Sequence, residues 1–151
     1  MDILTPDEIA DVVAAARVAH IGVFSNGEPY VTPISYVPFG DGIAFRSLAG
    51  RRLDAIATNP RVSVEITVVD EATGSWKSVV ASGDSSVVED SQEAAEIIQL
   101  LLQRYTAAFE NLLGDKGPTL SRASVVRVDF ERVTGRSSDG RLQPKTRPGR
   151  L

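Results

Sequence analysis

Cysteine is absent from the 151-residue chain, and histidine, methionine and tryptophan occur once each. The absence of cysteine excludes disulfide bonds and thiolate metal sites. A single histidine, His20, leaves too few nitrogen ligands for a typical zinc site, and carboxylate clusters with metal-ligand spacing are not evident. Long apolar runs are also missing, because no stretch approaches the ~18 residues that a membrane-spanning helix needs. We therefore expect a protein without a metal site and without a membrane partner.

The charge of the chain is negative overall but unevenly distributed. The formal net charge of −4 argues against general nucleic-acid binding, which depends on broad basic surfaces. Four arginines stand between residues 46 and 61 against one acid, Asp54, whereas residues 84–96 carry five acids and no base. A local basic site on an acidic protein suits a small phosphorylated ligand better than a polyanion.

Length and composition predict one globular domain with a short extension. Hydrophobic residues make up 42% of the chain and charged residues 24%, as in soluble globular proteins. We predict a domain over residues 1–135 and a basic, polar C-terminal tail over residues 136–151, disordered unless a ligand or partner orders it. A basic segment followed by an apolar one is not visible near the N-terminus, so the expected location is the cytoplasm.

The stretch from Phe45 to Ile56 has the pattern of a strand end, a glycine-containing loop and the first turns of a helix. That helix should stop before Pro60, since proline disfavours helical geometry in the preceding residue. Helix starts usually attract acids because their amides carry about half a positive charge, yet Arg51 and Arg52 stand here. Each cation costs roughly 0.3–1 kcal/mol at such a position, unless an anion occupies the amides. With Arg46 and Ser47, the stretch is either a phosphate-binding site or a solvated loop whose arginines face water.

The first half of the chain predicts a helix followed by three meandering strands. Thr5-Pro6-Asp7-Glu8 is typical of a capped helix start. Strands are expected over residues 17–24, 30–39 and 43–47, with Ser25-Asn26-Gly27 as the first hairpin turn. Pro33 lies inside the second strand, where it removes a ladder hydrogen bond. That position is therefore a sheet edge, a bulge or a place where the backbone faces something other than a strand.

The second half continues with strands around one long helix. Strict alternation predicts a strand over residues 61–68, and a longer one runs from Trp76 to Val88 with a bend at Gly83. A helix over residues 91–113, capped by Asp90 or Ser91, presents one apolar stripe, and a final strand is centred on residues 126–130. Together these elements predict a mainly β protein, a small antiparallel barrel of about six strands with peripheral helices.

Three motifs, in this order, resemble the pyridoxamine 5′-phosphate oxidase-like FMN-binding split-barrel family. They are Asn26 to Tyr36 (NGEPYVTPISY), Ser47 to Val62 with Gly50-Arg51-Arg52-Leu53 at its centre, and Trp76 to Val80 followed by Gly83. The similarity covers about residues 15–135. It is closest to the compact branch related to nitroimidazole-resistance flavoproteins. The resemblance implies a six-stranded antiparallel split β-barrel that binds FMN.

The same resemblance implies roles for individual residues in binding the flavin. The backbone around Thr32, Pro33 and Ile34 would line the ring, which would explain the proline inside a strand. Arg46 and Ser47 would meet the ribityl phosphate, and Arg52, where the family usually has lysine, would grip it. Arg51 would assist or face solvent. On the other side of the ligand, Trp76 would shield the ring, and Lys77 and Ser78 would reach the phosphate or ring.

The activity implied is that of an FMN-dependent oxidoreductase acting on an unknown small substrate, with reduced nicotinamide as a candidate electron donor. No acid–base pair or nucleophile triad can be assembled from the sequence, which fits an enzyme whose cofactor supplies the chemistry. The basic site predicts FMN in preference to FAD or riboflavin. Three alternatives remain open: a deazaflavin-dependent reductase, a non-catalytic flavin or haem binder, and a plain interaction module.

One departure from the family pattern and one expectation about assembly complete the sequence analysis. Pyridoxamine phosphate oxidases carry a C-terminal Arg-x-His motif, whereas this chain has no histidine after His20. Oxidation of vitamin B6 phosphates is therefore not expected. The resemblance also implies a homodimer with a flavin at the subunit interface, because in this family two barrels pack together and each flavin lies between them.

Overall fold

The computed structural model describes residues 1–105 and 123–140, and these form a closed antiparallel barrel with helices at its periphery. In chain order the elements are β1 (Asp2–Ile3), α1 (Pro6–Ala15), β2 (Val18–Ser25), β3 (Glu28–Phe39), β4 (Gly42–Ser47), α2 (Arg51–Thr58), β5 (Arg61–Val69), β6 (Trp76–Val87), α3 (Ser91–Arg104) and β7 (Ser124–Ser138). The strand order is β1-β7-β4-β3-β2-β5-β6, and β6 also pairs with β7. Six long strands therefore close a ring, as predicted, and the two-residue β1 extends the β4 side of β7.

The local signals in the sequence explain the first elements. Thr5 caps α1, and its hydroxyl accepts from the amide of Glu8 while the Glu8 carboxylate accepts from the amide of Thr5. Asn26 and Gly27 both adopt positive φ, at 53° and 79°. Two such residues match the right-handed twist of the flanking strands in a tight hairpin. The predicted helix start and the predicted β2–β3 turn are both confirmed.

β3 changes its neighbours halfway along its length. Residues 28–35 pair with β2, whereas residues 36–39 pair with β4. The other edge of the first half faces away from β4, and Pro33 lies on that half. A proline is tolerated there because its missing amide leaves no gap in a central ladder. Of the three readings of Pro33, the structure therefore supports the open edge.

The bend predicted at Gly83 coincides with an irregularity in the ladder between β6 and β7, in which Glu131 of β7 is the extra residue. The register between the two strands shifts between Ser82 and Gly83. A Cβ atom built on Gly83 would lie 1.9 Å from the carbonyl oxygen of Asp129, far inside van der Waals contact. Only glycine allows the two backbones to approach this closely.

Two apolar clusters hold the fold together. The larger fills the barrel, where Tyr36 and Phe45 are fully buried, and α1 closes one end through Val12. The smaller lies outside the barrel, where Ile97 and Leu101 of α3 pack against Val37, Ala44 and Val125. Asp90 caps α3 by accepting a hydrogen bond of 2.9 Å from the amide of Glu93. The described part of α3 ends at Arg104, so residues 106–113 of the predicted helix lie outside the described residues.

The C-terminal boundary differs from the sequence prediction. β7 continues through residues 136–138, which were assigned to the tail, because Arg136 and Ser137 pair with β1 on one side and with β6 on the other. Strand partners on both sides satisfy the backbone of this polar segment, which has no apolar pattern of its own. Residues 141–151 of the predicted tail lie outside the described residues.

Candidate functional site: a basic cleft between β3, β4 and α2

The end of β4, the loop that follows it and the start of α2 form an open cleft against β3. Its volume is about 340 Å³. We call it the arginine cleft, and its polar lining comes from Tyr30, Thr32, Arg46, Ser47, Arg51 and Arg52. Five of the sequence-predicted residues therefore lie around one cavity: Thr32, Arg46, Ser47, Arg51 and Arg52.

Arg52 is held in the cleft by three hydrogen bonds. Its Nη1 donates to Thr32 Oγ1 at 2.9 Å and to the Pro33 carbonyl at 3.4 Å, and its Nε donates to Ser47 Oγ at 3.3 Å. Burial lowers the pKa of Arg52 below its ordinary value. Its hydrogen-bond partners are neutral, and within residues 1–105 and 123–140 it forms no ion pair with a carboxylate. A partly desolvated guanidinium with neutral partners favours the binding of an anion.

Two other arginines differ from Arg52 because they pair with carboxylates. Arg61 and Arg127 have their pKa values raised, chiefly by hydrogen bonds to Glu131 and Asp129 respectively. Both lie outside the lining of the arginine cleft and are already compensated by carboxylates. The charge of Arg52 is thus not part of a surface salt-bridge network.

Arg51 lies at the mouth of the same cleft. It contacts Tyr30 of β3, whereas Arg52 contacts Thr32, two residues further along that strand. Its Nε donates to Ser25 Oγ at 2.8 Å, and its guanidinium lies 4.0 Å from the centre of the Tyr30 ring. The nearest carboxylate is Glu28, at 3.9 Å and largely exposed, so that attraction is weak. Arg51 is therefore held in place by a hydroxyl and an aromatic ring and not left free in water.

The start of α2 adds backbone donors to the cleft. Gly50 is the N-cap residue and makes no side-chain cap hydrogen bond. Ser47 is only 2% exposed, and its hydroxyl accepts from Arg52 and donates to the Leu48 carbonyl at 3.3 Å. An uncapped helix start beside two guanidinium groups is suited to a phosphate, since amides and cations act on the same anion.

The residues expected to line a flavin ring lie next to these cations. The Thr32 side chain faces the cleft, and the Pro33 carbonyl points to Arg52 on the open edge of β3. Ile34 is only 4% exposed and belongs to the barrel core, so its side chain cannot touch a ligand. Only its backbone can take the role that the sequence implied.

The third predicted group, Trp76, Lys77 and Ser78, lies elsewhere in the chain. These residues begin β6 and pair with the end of β5 and with Arg136 to Ser138 of β7. They do not line the arginine cleft, and β2 and β5 separate them from β3. One chain therefore does not bring them to the site formed by Arg52.

The structure also shows polar residues that sequence reasoning missed. Glu65 is the centre of a small network on the outer face of the sheet: its carboxylate accepts from Ser78 at 3.0 Å and from Thr67, and lies 3.2 Å from His20 Nδ1. Tyr30, which lies beneath Arg51, was also missed. Its two-residue spacing from Thr32 on a strand was the available signal, because side chains repeat every second residue.

Within residues 1–105 and 123–140, no group of three or more histidine, cysteine or acidic side chains could hold a metal ion. The helices of that part of the chain are all too short or too polar to cross a membrane. The arginine cleft is a binding site without an evident catalytic group of its own, which suits a cofactor that carries the reactive atoms.

The fold is shared with proteins of known structure. The fold is similar to that of a FAD-binding protein from Mesorhizobium loti, with 26% identity, a TM-score of 0.71 and coverage of 91% of this chain and 97% of that one. It is also similar to a Bacteroides thetaiotaomicron protein named for 5-nitroimidazole antibiotic resistance, with a TM-score of 0.71 over 89% of this chain and 85% of that one. The second match, at 18% identity, shows the fold alone.

Sequence comparison gives one relative and the family. An uncharacterised protein of Rhizobium meliloti (strain 1021) is 32% identical over 81 residues, which are 54% of this chain and 53% of the relative. The chain thus spans about half the length of the curated relative it matches. The model of the pyridoxamine 5′-phosphate oxidase family matches residues 5–137, which include every described residue of the arginine cleft. The chain is a member of the pyridoxamine 5′-phosphate oxidase family, with the split-barrel fold of its flavin-binding relatives.

Proposed function

We propose that the chain binds a flavin with its phosphate in the arginine cleft and acts as an FMN-dependent oxidoreductase on a small substrate. The observation that carries the proposal is Arg52, a partly buried guanidinium that has only neutral partners and stands at an uncapped helix start. An arginine in that setting is stabilised by a bound phosphate, which can accept two parallel hydrogen bonds from it.

Different residues of the cleft would bind different parts of FMN. Arg52, Arg46 and the amides at the start of α2 would hold the phosphate, and Ser47 orients the Arg52 guanidinium. The Thr32 hydroxyl and the backbone of residues 32–34 would border the ring. The flavin, when bound, accepts and passes on a hydride or electrons, and the protein binds and orients it.

We further propose that the active form is a homodimer. The outer face of the sheet exposes Val18, Val31, Val69 and Val80 by 48–62% each, and strand alternation places all four on the same side as Trp76 and Ser78. Exposed branched side chains on one face are typical of a surface covered by a partner. A second copy on this face would supply Trp76 and Ser78 to a flavin held by Arg52 of the first, whereas Lys77 lies on the other side of β6.

A complementation experiment tests this arrangement. Arg52→Ala and Trp76→Ala should each weaken FMN binding. Mixing the two variants should restore wild-type affinity at one of the two sites of each heterodimer, because that site combines an intact Arg52 with an intact Trp76. A mixture that binds FMN no better than its components, although sedimentation shows heterodimers, would exclude the shared site.

The first experiment for the function itself is a spectrum followed by a titration. The purified protein should take up FMN with the absorbance of an oxidised flavin, and reduced nicotinamide should bleach it under anaerobic conditions. A deazaflavin or haem spectrum of the purified protein would show that the cofactor is that ligand and not FMN. Failure to bind any of the three would refute a cofactor role for the arginine cleft.

A further inference from the structure

His20 and Glu65 form a hydrogen-bonded pair on the outer face of the sheet, where β2 lies beside β5. The two residues are direct partners in the antiparallel ladder, and Nδ1 of His20 lies 3.2 Å from Oε2 of Glu65. The other carboxylate oxygen, Oε1, accepts hydrogen bonds from the hydroxyls of Thr67 and, at 3.0 Å, Ser78. The pairing of two distant strands therefore assembles an acid–base pair that the sequence alone did not show.

This network determines which nitrogen of His20 can exchange a proton with a ligand. Because two hydroxyl groups donate to Oε1, Oε2 is the oxygen that accepts the proton of Nδ1. A carboxylate at Nδ1 stabilises the imidazole with that nitrogen protonated and fixes the orientation of the ring. Nε2 is then the nitrogen that gives or takes a proton, and the His20 side chain is 52% exposed.

His20 also lies one strand away from the part of β3 that we expect beside the flavin ring. It is the direct partner of Pro33 in the ladder between β2 and β3. The Cβ atoms of such partners are about 4.5–5.5 Å apart and project to the same face. The side chains of both residues are exposed there. The imidazole is therefore within reach of a ligand that lies across Pro33.

A cavity of about 270 Å³ begins beside the His20–Glu65 pair and continues along the same face of the sheet. Its wall includes Gly22 and Ser63, which are partners in the same ladder, two residues along from His20. Gly22 has no side chain to fill the space, and Phe24 exposes 51% of its surface in the wall. The cavity is just below the ~300–1,000 Å³ typical of small-molecule sites. It therefore suits a small, flat molecule that stacks on an aromatic ring.

The charges at the cavity favour a neutral ligand. Arg61 contributes to the lining, but its guanidinium already pairs with Asp84 and Glu131. Glu65 places a carboxylate at the other end, and this charge repels an anion.

The imidazole has few other charges near it. β2 and β3 present uncharged positions on this face: Val18, Gly22, Val31, Pro33 and Ser35. Beyond Glu65, the next charges on this side of the described sheet are Arg136 of β7, two strands away, and the pair of Arg61 and Asp84, four residues further along β5 and β6. Glu65 is thus the charged group in direct contact with His20.

We propose that His20 is the catalytic acid of the flavin reaction, that Glu65 is its positioning residue, and that the substrate is a small apolar quinone in the adjacent cavity. The inference rests on the proposed function and names its substrate class. A quinone is flat and neutral, as the cavity requires. It also needs an acid when it is reduced, because negative charge develops on one of its oxygens.

The electrons and protons of this step balance. A quinone becomes a hydroquinone by gaining one hydride and one proton. The hydride comes from the reduced flavin and forms the O–H bond at one carbonyl oxygen, the ring becomes aromatic, and the electron pair moves to the other oxygen. Nε2 of protonated His20 gives its proton to that oxygen, while Nδ1–H stays bonded to Glu65. Solvent then returns a proton to Nε2.

NMR spectra of the histidine nitrogens test the pair without turnover. His20 is the single histidine of the chain, so its two nitrogen signals are assigned directly. At high pH they should show the Nδ1–H tautomer, and Glu65→Ala should shift the balance toward Nε2–H. Menadione, a small quinone, should move the His20 signals when it is added to protein loaded with oxidised FMN, which cannot reduce it. Glu71→Ala, which removes an exposed acid in the β5–β6 turn, is the matched control and should change neither result.

Anaerobic stopped-flow mixing measures the reduction of menadione by protein that carries reduced FMN. His20→Gln should slow this step about 100-fold, which is within the range that a positioned acid contributes, and should leave the dissociation constant of FMN unchanged. The wild-type rate should fall as the pH rises, with the same midpoint as the NMR titration of His20, since only the protonated imidazole donates. The His20→Gln rate should lack this dependence.

A second variant tests the cavity separately from the acid. A Cβ atom at Gly22 would make only ordinary contacts, at 3.8 Å, so Gly22→Val should fold, and thermal melts verify it. The added side chain should fill the cavity and raise the menadione concentration that gives the half-maximal rate. The pH midpoint should stay where it is in the wild type.

The outcomes separate this inference from the proposed function. Failure to bind FMN would refute the flavin site itself. With FMN bound, the acid is refuted if His20→Gln reduces menadione as fast as the wild type, or more slowly with an unchanged pH profile, which would indicate a structural role. Reduction no faster than by free reduced FMN, or His20 signals that menadione does not move, would exclude the quinone from this cavity.

Discussion

Replacement of Arg52 by alanine should weaken FMN binding about 10- to 100-fold. A hydrogen bond between a charged group and phosphate contributes about 1.5–3 kcal/mol, and each 1.4 kcal/mol corresponds to a factor of ten. The bonds to Ser47, Thr32 and Pro33 use Nε and Nη1, so we count one hydrogen bond from Nη2 to the phosphate as the net loss. Quenching of FMN fluorescence on titration gives the dissociation constants directly.

The stability of the ligand-free protein should respond much less to the same change. Arg52→Ala removes bonds to Thr32 and Ser47, but it also removes a partly desolvated cation from a helix start. These effects oppose each other, and we expect the free energy of unfolding to change by less than about 1 kcal/mol. Urea unfolding without FMN measures the change and shows that any loss of affinity is not a loss of fold.

Two variants control the interpretation. Arg61→Ala removes the same charge from an exposed arginine that pairs with Asp84 and Glu131, so its FMN affinity should equal that of the wild type. Arg52→Lys keeps the charge but loses the planar fork, and should retain more affinity than alanine. If Arg61→Ala weakened FMN as much as Arg52→Ala, attraction by net charge and not a built phosphate site would account for binding.

Four further predictions follow from other features. Arg51→Ala should weaken FMN less than Arg52→Ala in the same titration, because Arg51 is at the mouth of the cleft; the reverse order would move the phosphate toward the hairpin. Pyridoxamine 5′-phosphate should not be turned over in an oxidase assay with FMN supplied, and measurable product would contradict this. Sedimentation should show a dimer that FMN strengthens; a monomer with stoichiometric FMN would exclude a shared site. Burial raises the pKa of Tyr36 to about 12. The contribution of the protonated Tyr36 to the free energy of unfolding is therefore complete below pH ~10 and is lost as the pH rises toward 12. Denaturant unfolding at pH 9 and 11 should show this decrease in the free energy of unfolding, and Tyr36→Phe should abolish the decrease.

The fold could be predicted largely because its signals are local. The Thr5 cap, the Asn26-Gly27 turn and the alternation in β5 each depend on adjacent residues, and all three appear in the structure. The extension of β7 to Ser138 could not be predicted in this way. That segment is polar and becomes a strand only because β1 and β6 flank it, and these partners are distant in sequence.

The candidate site could be predicted to a similar extent, and its other features were missed for a similar reason. Arg46, Ser47, Arg51 and Arg52 lie within seven residues, so a single loop brings them together. Prediction of the Glu65 network would have required the register of β2 against β5, which the alternation of apolar residues alone does not give. The cavity of about 720 Å³ between the β2–β3 hairpin and α2 could be predicted only from the position of α2 relative to the hairpin. Both depend on tertiary packing, which a residue pattern does not contain.

The position of β7 in the chain has a consequence for synthesis of the protein. β7 is the strand that closes the ring, since it bridges β4 and β6 and also pairs with β1, and it is the last element in residues 1–105 and 123–140. Until the ribosome has released it, β4 and β6 expose unpaired edges that other chains can join. Stalled or prematurely terminated products that end before Ser124 lack all of β7 and should therefore form aggregates.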